Sequence, residues 1–337
     1  MAYLTRCCVG GLLATAATLV GGCAAGPAAS PAPPASLQET LRSQSQVRQF
    51  DGRTGKKLYA WDVFERARDA DAVLFGELHG HPVGLPVVAA IWEDMLRARD
   101  PDQTPALLLE FFERDHQLAI DDYLKGLIDE DEFKESAGRR ASSYPEAHRA
   151  MLEATKEAGG VVVAANAPRR YVRLARIEGY DRLRAMTPAQ RAMFELPPSE
   201  EGPAAYRERF LEIMSGMRSA DGSGKAQPGM DVMDFLRSQL VWDATMADSV
   251  ADALRAGHEP VALVIGRFHV GFDGATVEYI RRQRPAADVL TIVVVDRWSD
   301  ELAEEDRGRG DIVIYAGPID QGEPAEEGEE GDKSEQT

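Results

Sequence analysis

Two short stretches of this 337-residue chain carry the residue types that proton transfer or ligand binding requires. The first, Gly76-Glu77-Leu78-His79, ends the apolar run Val73-Leu74-Phe75; the second, Gly266-Arg267-Phe268-His269, ends Val261-Ala262-Leu263-Val264-Ile265. A carboxylate and two imidazoles have the right chemistry for general acid/base work or for an oxygen/nitrogen metal site. Glu110, with Glu113 behind it, interrupts a third apolar run, Leu107-Leu108-Leu109 and Phe111-Phe112. Burying a carboxylate there without a partner is costly, so a paired or ligand-facing role is expected. Glu77, His79, Glu110 and His269 are therefore the predicted working set, and they are also the metal set if a divalent ion is bound. Asn166, followed by Pro168, Arg169 and Arg170, closes a fourth run, and an arginine at that point suits a carboxylate or phosphate.

Structural roles compete with each of these readings. Glu77 also suits a helix cap, and the two arginines also suit the exposed start of a helix. His81 reads as an exposed turn histidine before Pro82. His116, His148 and His258 fall in helical or turn contexts and receive no site role.

The elements that must hold these residues follow from hydrophobic periodicity. Residues 71–77, 106–112, 160–166, 261–266, 289–296 and 311–316 are strand-length and nearly continuous in apolar character, as expected of strands buried on both faces. Helical patterns at 86–99, 145–158 and 231–256 separate them. The alternation predicts an α/β fold with a mostly parallel sheet flanked by helices. Residues 168–257 contain no strand pattern and read as a mainly helical inserted subdomain, broken by a Gly/Ser/Pro-rich stretch at 220–229. In such sheets ligands bind outside the carboxyl ends of the strands, which would bring His79 and His269 to one rim.

Outside this body, residues 1–22 have the short charged start and small apolar core of a signal peptide, ending Val20-Gly21-Gly22-Cys23. The apolar run is short of the ~20 residues that a membrane-spanning helix needs. The pattern resembles a lipoprotein signal with Cys23 as the lipidated residue, and Ala24 after it implies outer-membrane sorting. With Cys7 and Cys8 removed, the mature chain would hold no disulfide and no thiolate metal site. Residues 23–45 are expected to be a tether, 46–320 the folded body, and 321–337 a disordered acidic tail. The net charge of -18 argues against nucleic acid as a partner. There is no Gly-x-Ser-x-Gly elbow, which speaks against a serine hydrolase. There is also no Cys-x-x-Cys-His motif, so any haem would be non-covalent.

Five blocks in order carry a resemblance: Leu74 to His79, Leu109-Glu110-Phe111-Phe112-Glu113-Arg114, Ala164-Ala165-Asn166-Ala167-Pro168-Arg169, Trp242-Asp243-Ala244-Thr245-Met246-Ala247, and Ile265-Gly266-Arg267-Phe268-His269. Together they resemble the ChaN family of bacterial haem-binding lipoproteins. That family sits in a superfamily with Tiki and TraB proteins and erythromycin-esterase-like hydrolases. The resemblance implies a haem-binding lipoprotein of the cell envelope, at the outer membrane facing the periplasm, linked to haem or iron acquisition and pairing as a homodimer. It implies cofactor-binding roles for Tyr144, His79, His269 and Arg169. Tyr144 leads as axial ligand, because it matches a family position that is often tyrosine, although the tryptophan usual just before it is absent. The alternative it carries is a metal-dependent or Glu/His-based hydrolase.

Overall fold

The computed structural model describes residues 35–138, 144–220 and 231–319. The expected signal peptide, Cys23 and the acidic tail lie outside these residues. The expected tether lies partly inside them, and residues 35–43 are not a tether. They form helix α1 (Ala35–Ser43), with Leu37 buried. Two of the free N–H groups of its first turn are satisfied from outside the helix, since Ser36 and Leu37 donate to the buried Asp94 carboxylate at 3.1 and 2.9 Å.

Eight strands form one sheet: β1 (Arg48–Asp51), β2 (Lys57–Leu58), β3 (Ala72–Glu77), β4 (Ala106–Glu113), β5 (Val161–Asn166), β6 (Val261–Gly266), β7 (Val289–Val295) and β8 (Ile312–Tyr315). Their spatial order is β2-β1-β8-β7-β3-β6-β4-β5. β3 to β8 are parallel, as expected, and match the six apolar runs to within a residue or so at each end. β1 and β2 add an antiparallel edge. Their sequences, Arg-Gln-Phe-Asp and Lys-Leu, are too short and polar to show as an apolar run.

The helices are α2 (Ala60–Asp69), α3 (Gly84–Ala98), α4 (Gln117–Leu124), α5 (Glu130–Ser136), α6 (Glu146–Glu157), α7 (Arg169–Arg184), α8 (Pro188–Arg191), α9 (Ala204–Ala220), α10 (Val232–Arg255), α11 (Arg267–Val270) and α12 (Ala275–Gln283). Alternation along the strands sorts side chains between two cores. Val73, Leu107, Ala262 and Ile292 meet α1 to α6 on one face. Leu74, Leu108, Leu263 and Val293 meet α9 to α12 on the other. Burying each large aliphatic side chain is worth about 1.5–3 kcal/mol, and a strand covered on both faces gains this at every position. Among the described residues the 168–257 segment is helical without strands; α10 is part of a sheet-covering layer, while α7 packs with Phe194 and Val241 in a smaller cluster. Among the described residues no helix is long and apolar enough to cross a membrane.

This topology places the site. β3 and β6 are parallel neighbours with Glu77 opposite Gly266. The chain leaves β3 for α3 on one face and leaves β6 for α11 and α12 on the other. Adjacent parallel strands whose connections diverge in this way open a crevice at their carboxyl ends.

Candidate functional site

Glu77, the last residue of β3, is 2% exposed. Its Oε1 accepts from His79 Nδ1 at 2.8 Å and its Oε2 from His148 Nε2 at 2.6 Å. Burial by itself would push this carboxyl up, but the two imidazoles override it and hold Glu77 below the usual carboxylate range. His148 is buried on α6, whereas the His79 side chain is 59% exposed. Since Nδ1 of His79 donates to Glu77, its Nε2 is the atom left to act at the rim. The Glu77 hydrogen bond, opposed by burial and helped by Glu110, raises the His79 pKa.

On the other side of the crevice stands a second carboxylate-backed imidazole. His269 on α11 donates from Nδ1 to Asp243 Oδ1 at 2.8 Å. Asp243, fully buried on α10, also accepts from Thr276 Oγ1 at 2.6 Å and from Tyr206 Oη at 2.7 Å. Burial opposes charge on His269, but Asp243 and then Glu110 outweigh it and push its pKa up to about 9. The Nε2 of His269 lies 3.7 Å from Glu110 Oε1, and Glu110 Oε2 accepts from the Gly266 N–H at 2.5 Å.

Two glycines mark where these groups meet, but only at Gly76 is the space too tight for a Cβ. A Cβ on Gly266 would lie 3.4 Å from His79 Nε2 and 3.5 Å from Glu110 Oε2, so imidazole and carboxylate converge over bare backbone. A Cβ on Gly76 would lie 2.6 Å from Val270 Cγ2, next to His269, and would force α11 outward. Between Leu109 and Glu113 the β4–β5 register shifts, and the irregularity leaves Glu110 and Phe111 both half-buried at the rim.

Glu77, His79, Glu110 and His269 are thus gathered in one crevice. Their use as a metal cluster has no support: no group of three or more His, Cys, Asp or Glu side chains among the described residues has metal-holding geometry. The physical reason is that Glu77 is already spent on His79 and His148, and His269 turns its Nδ1 to Asp243. Arg169 stands apart at the sheet edge, its side chain 85% exposed and 3.3 Å from Glu113. Tyr144 packs against Phe112 and Phe133 and is 8% exposed, and its buried hydroxyl has no hydrogen-bond partner among the described residues. Burial raises its pKa.

Two expectations need correcting. His148, given no role from sequence, clamps Glu77. His81 is not exposed but 1% accessible: its Nδ1 accepts from the N–H groups of Val83 and Gly84 at the start of α3, and its Nε2 donates to Gly317 O at 2.9 Å. Sequence reasoning also missed Asp243. The signal was present, since an acid between Val241 and Ala244 on an otherwise apolar helix face needs a buried partner.

A family model described as "Haem-binding uptake, Tiki superfamily, ChaN" matches residues 63–280. No curated protein matches the chain. Among solved structures, ChaN of Campylobacter jejuni, described as showing cofacial haem binding, is similar at TM-score 0.60 and 15% identity, covering 80% of this chain and 96% of that one. The type III effector HopBA1 is similar at TM-score 0.41 and 16% identity, covering 81% and 96%. An erythromycin esterase EreC mutant in its open conformation has TM-score 0.41 and 12% identity, covering 80% and 83%. At such identities the Campylobacter jejuni likeness speaks for the fold alone. The family model spans well over half the chain, from α2 through both Gly-x-x-His strands and into α12, and on that ground the protein belongs to the haem-binding uptake family ChaN of the Tiki superfamily.

Proposed function

We propose that this protein is a haem-binding lipoprotein of the bacterial cell envelope, held at the periplasmic side of the outer membrane through Cys23 and serving haem or iron uptake as a homodimer. The observation that carries the reading is the family match across the residues that build the rim. The Val20-Gly21-Gly22-Cys23 sequence supports the anchor.

The residues present fit a haem. A folded body without cysteine offers imidazole, thioether or phenolate to the iron. Tyr144 brings a buried hydroxyl that is unpartnered among the described residues, a group that a nearby cation would stabilise as phenolate. His79 brings an Nε2 that the Glu77 hydrogen bond does not use and a carboxylate behind Nδ1, the arrangement that orients and strengthens a ligating imidazole. His269 and Arg169 are the remaining cofactor-binding candidates, His269 within the crevice and Arg169 apart from it at the sheet edge. When bound, haem supplies a redox-active iron centre. Titration with haemin tests the reading. The parent is expected to give a saturable, stoichiometric Soret shift at micromolar protein, weakened by Tyr144→Phe, which keeps the ring and loses the oxygen. Absence of saturable binding would overturn it.

A Glu/His-based hydrolase is the second reading, favoured by the convergence of His79 Nε2 and Glu110 Oε2 over Gly266 with a carboxylate behind each imidazole. Such pairs suit proton transfer without a metal. An ester-cleaving activity lost in His79→Ala, insensitive to chelators and to Tyr144→Phe, would favour it over haem binding.

A further inference from the structure

We propose that the rim takes planar tetrapyrroles by shape, with or without iron, using Phe111 and Trp298 as aromatic walls on either side of His79. The inference rests on the haem reading above and extends its ligand class to the metal-free macrocycle.

In the sheet the strands run β7-β3-β6-β4. Trp298 follows the end of β7, His79 follows β3, and Phe111 stands near the end of β4. At the ordinary strand spacing, β7 and β4 are about 14 Å apart, the scale of a tetrapyrrole. Phe111 meets the exposed His79 edge-on, with ring centroids 5.2 Å apart, and packs on His148 at 4.4 Å. The strand irregularity that frees Glu110 also keeps Phe111 half-buried instead of sealed in the core.

Trp298 is 43% exposed, yet its indole is held in place. It lies against Gly317, which adopts φ +89°, and a Cβ there would fall 2.1 Å from Trp298 Cζ2. Gly317 is itself fixed at both ends. Its N–H donates to Arg297 O at 3.0 Å, and its carbonyl accepts from His81 Nε2 at 2.9 Å. His81 belongs to the same loop as His79, so the loop that presents the imidazole also braces the glycine floor under the indole. An exposed aromatic side chain is unremarkable by itself. One seated on a left-handed glycine and braced by a buried histidine has already lost the freedom that stacking would otherwise cost. Arg267 follows β6, between the strands that carry the two aromatics, and its pairing with Asp296 at 2.7 Å uses one of the five guanidinium N–H donors, the others being suited to the carboxylates of natural tetrapyrroles.

The test uses the full chain titrated separately with haemin and with iron-free protoporphyrin IX, followed by absorbance and porphyrin fluorescence. The parent is expected to bind both saturably. W298A and F111A should weaken both roughly three- to tenfold, the scale of a lost aromatic contact. W298F should recover most of the affinity, whereas W298L, which fills space without a π face, should not. Circular dichroism verifies that each variant is folded, and the Phe/Leu pair keeps the comparison valid if the alanine variant misfolds. Haemin binding without protoporphyrin binding, or equal affinities for W298F, W298L and parent, would overturn the aromatic walls while leaving the haem reading intact. Failure of the parent to bind either ligand would remove both.

Discussion

Replacing Asp243 with Asn probes the most deeply buried charge at the site. In the folded protein His269 is raised from 6.5 to about 9, because the Asp243 carboxylate, with Glu110 behind it, outweighs the burial that opposes charge. A group whose folded pKa is raised contributes stability that is fully present below its unfolded pKa and is lost as pH rises through the folded one. Here the window runs from about 6.5 to about 9, and the contribution is roughly 3 kcal/mol. Asn preserves shape but removes the negative charge, so the imidazole then stays neutral in its buried place. Urea unfolding at intervals from pH 6 to 10 is the assay. The parent should lose stability across that window more steeply than Asp243→Asn, and the gap between them should narrow by roughly 3 kcal/mol. A gap that stays constant with pH would refute the reasoning, because it would mean that His269 does not carry its proton on account of Asp243. Any offset remaining at high pH would reflect the poorer acceptor offered to Tyr206 and Thr276.

Three further outcomes follow from the same geometry. Glu77 is held below the usual carboxylate range by His148 and His79 against the effect of burial, so its contribution is present above the ordinary carboxyl pKa and lost as pH falls through the lowered one; Glu77→Gln should flatten that acid limb in a circular-dichroism titration and cost about 3 kcal/mol at neutral pH. Gly76→Ala places a methyl 2.6 Å from Val270 and should lower the thermal midpoint by an amount equivalent to about 1–3 kcal/mol while weakening haemin binding through displaced His269; unchanged stability would mean that α11 yields freely. Cys23→Ala should release the protein from the membrane fraction or leave its leader uncleaved, whereas lipidation still found by mass spectrometry would remove the proposed anchor.

The sheet was legible in the sequence because strands covered on both faces must be apolar throughout, and the six runs with helical patterns between them allow few arrangements. The rim was legible for a related reason: Glu77, His79, Glu110 and His269 interrupt or end those runs, and polar residues at the carboxyl ends of parallel strands belong where ligands bind. What each group does there depends on partners distant in the chain. Glu77 and His148 are 71 residues apart and Asp243 and His269 26 apart, and neither pairing leaves a local spacing to read. His81 looks like a turn residue until the end of β8 brings Gly317 within reach of its ring. Local sequence records the period of burial, residue by residue. Which carboxylate backs which imidazole is decided only when helices from opposite faces of the sheet close over one end of it, because only there does the cost of burying each charge select a partner.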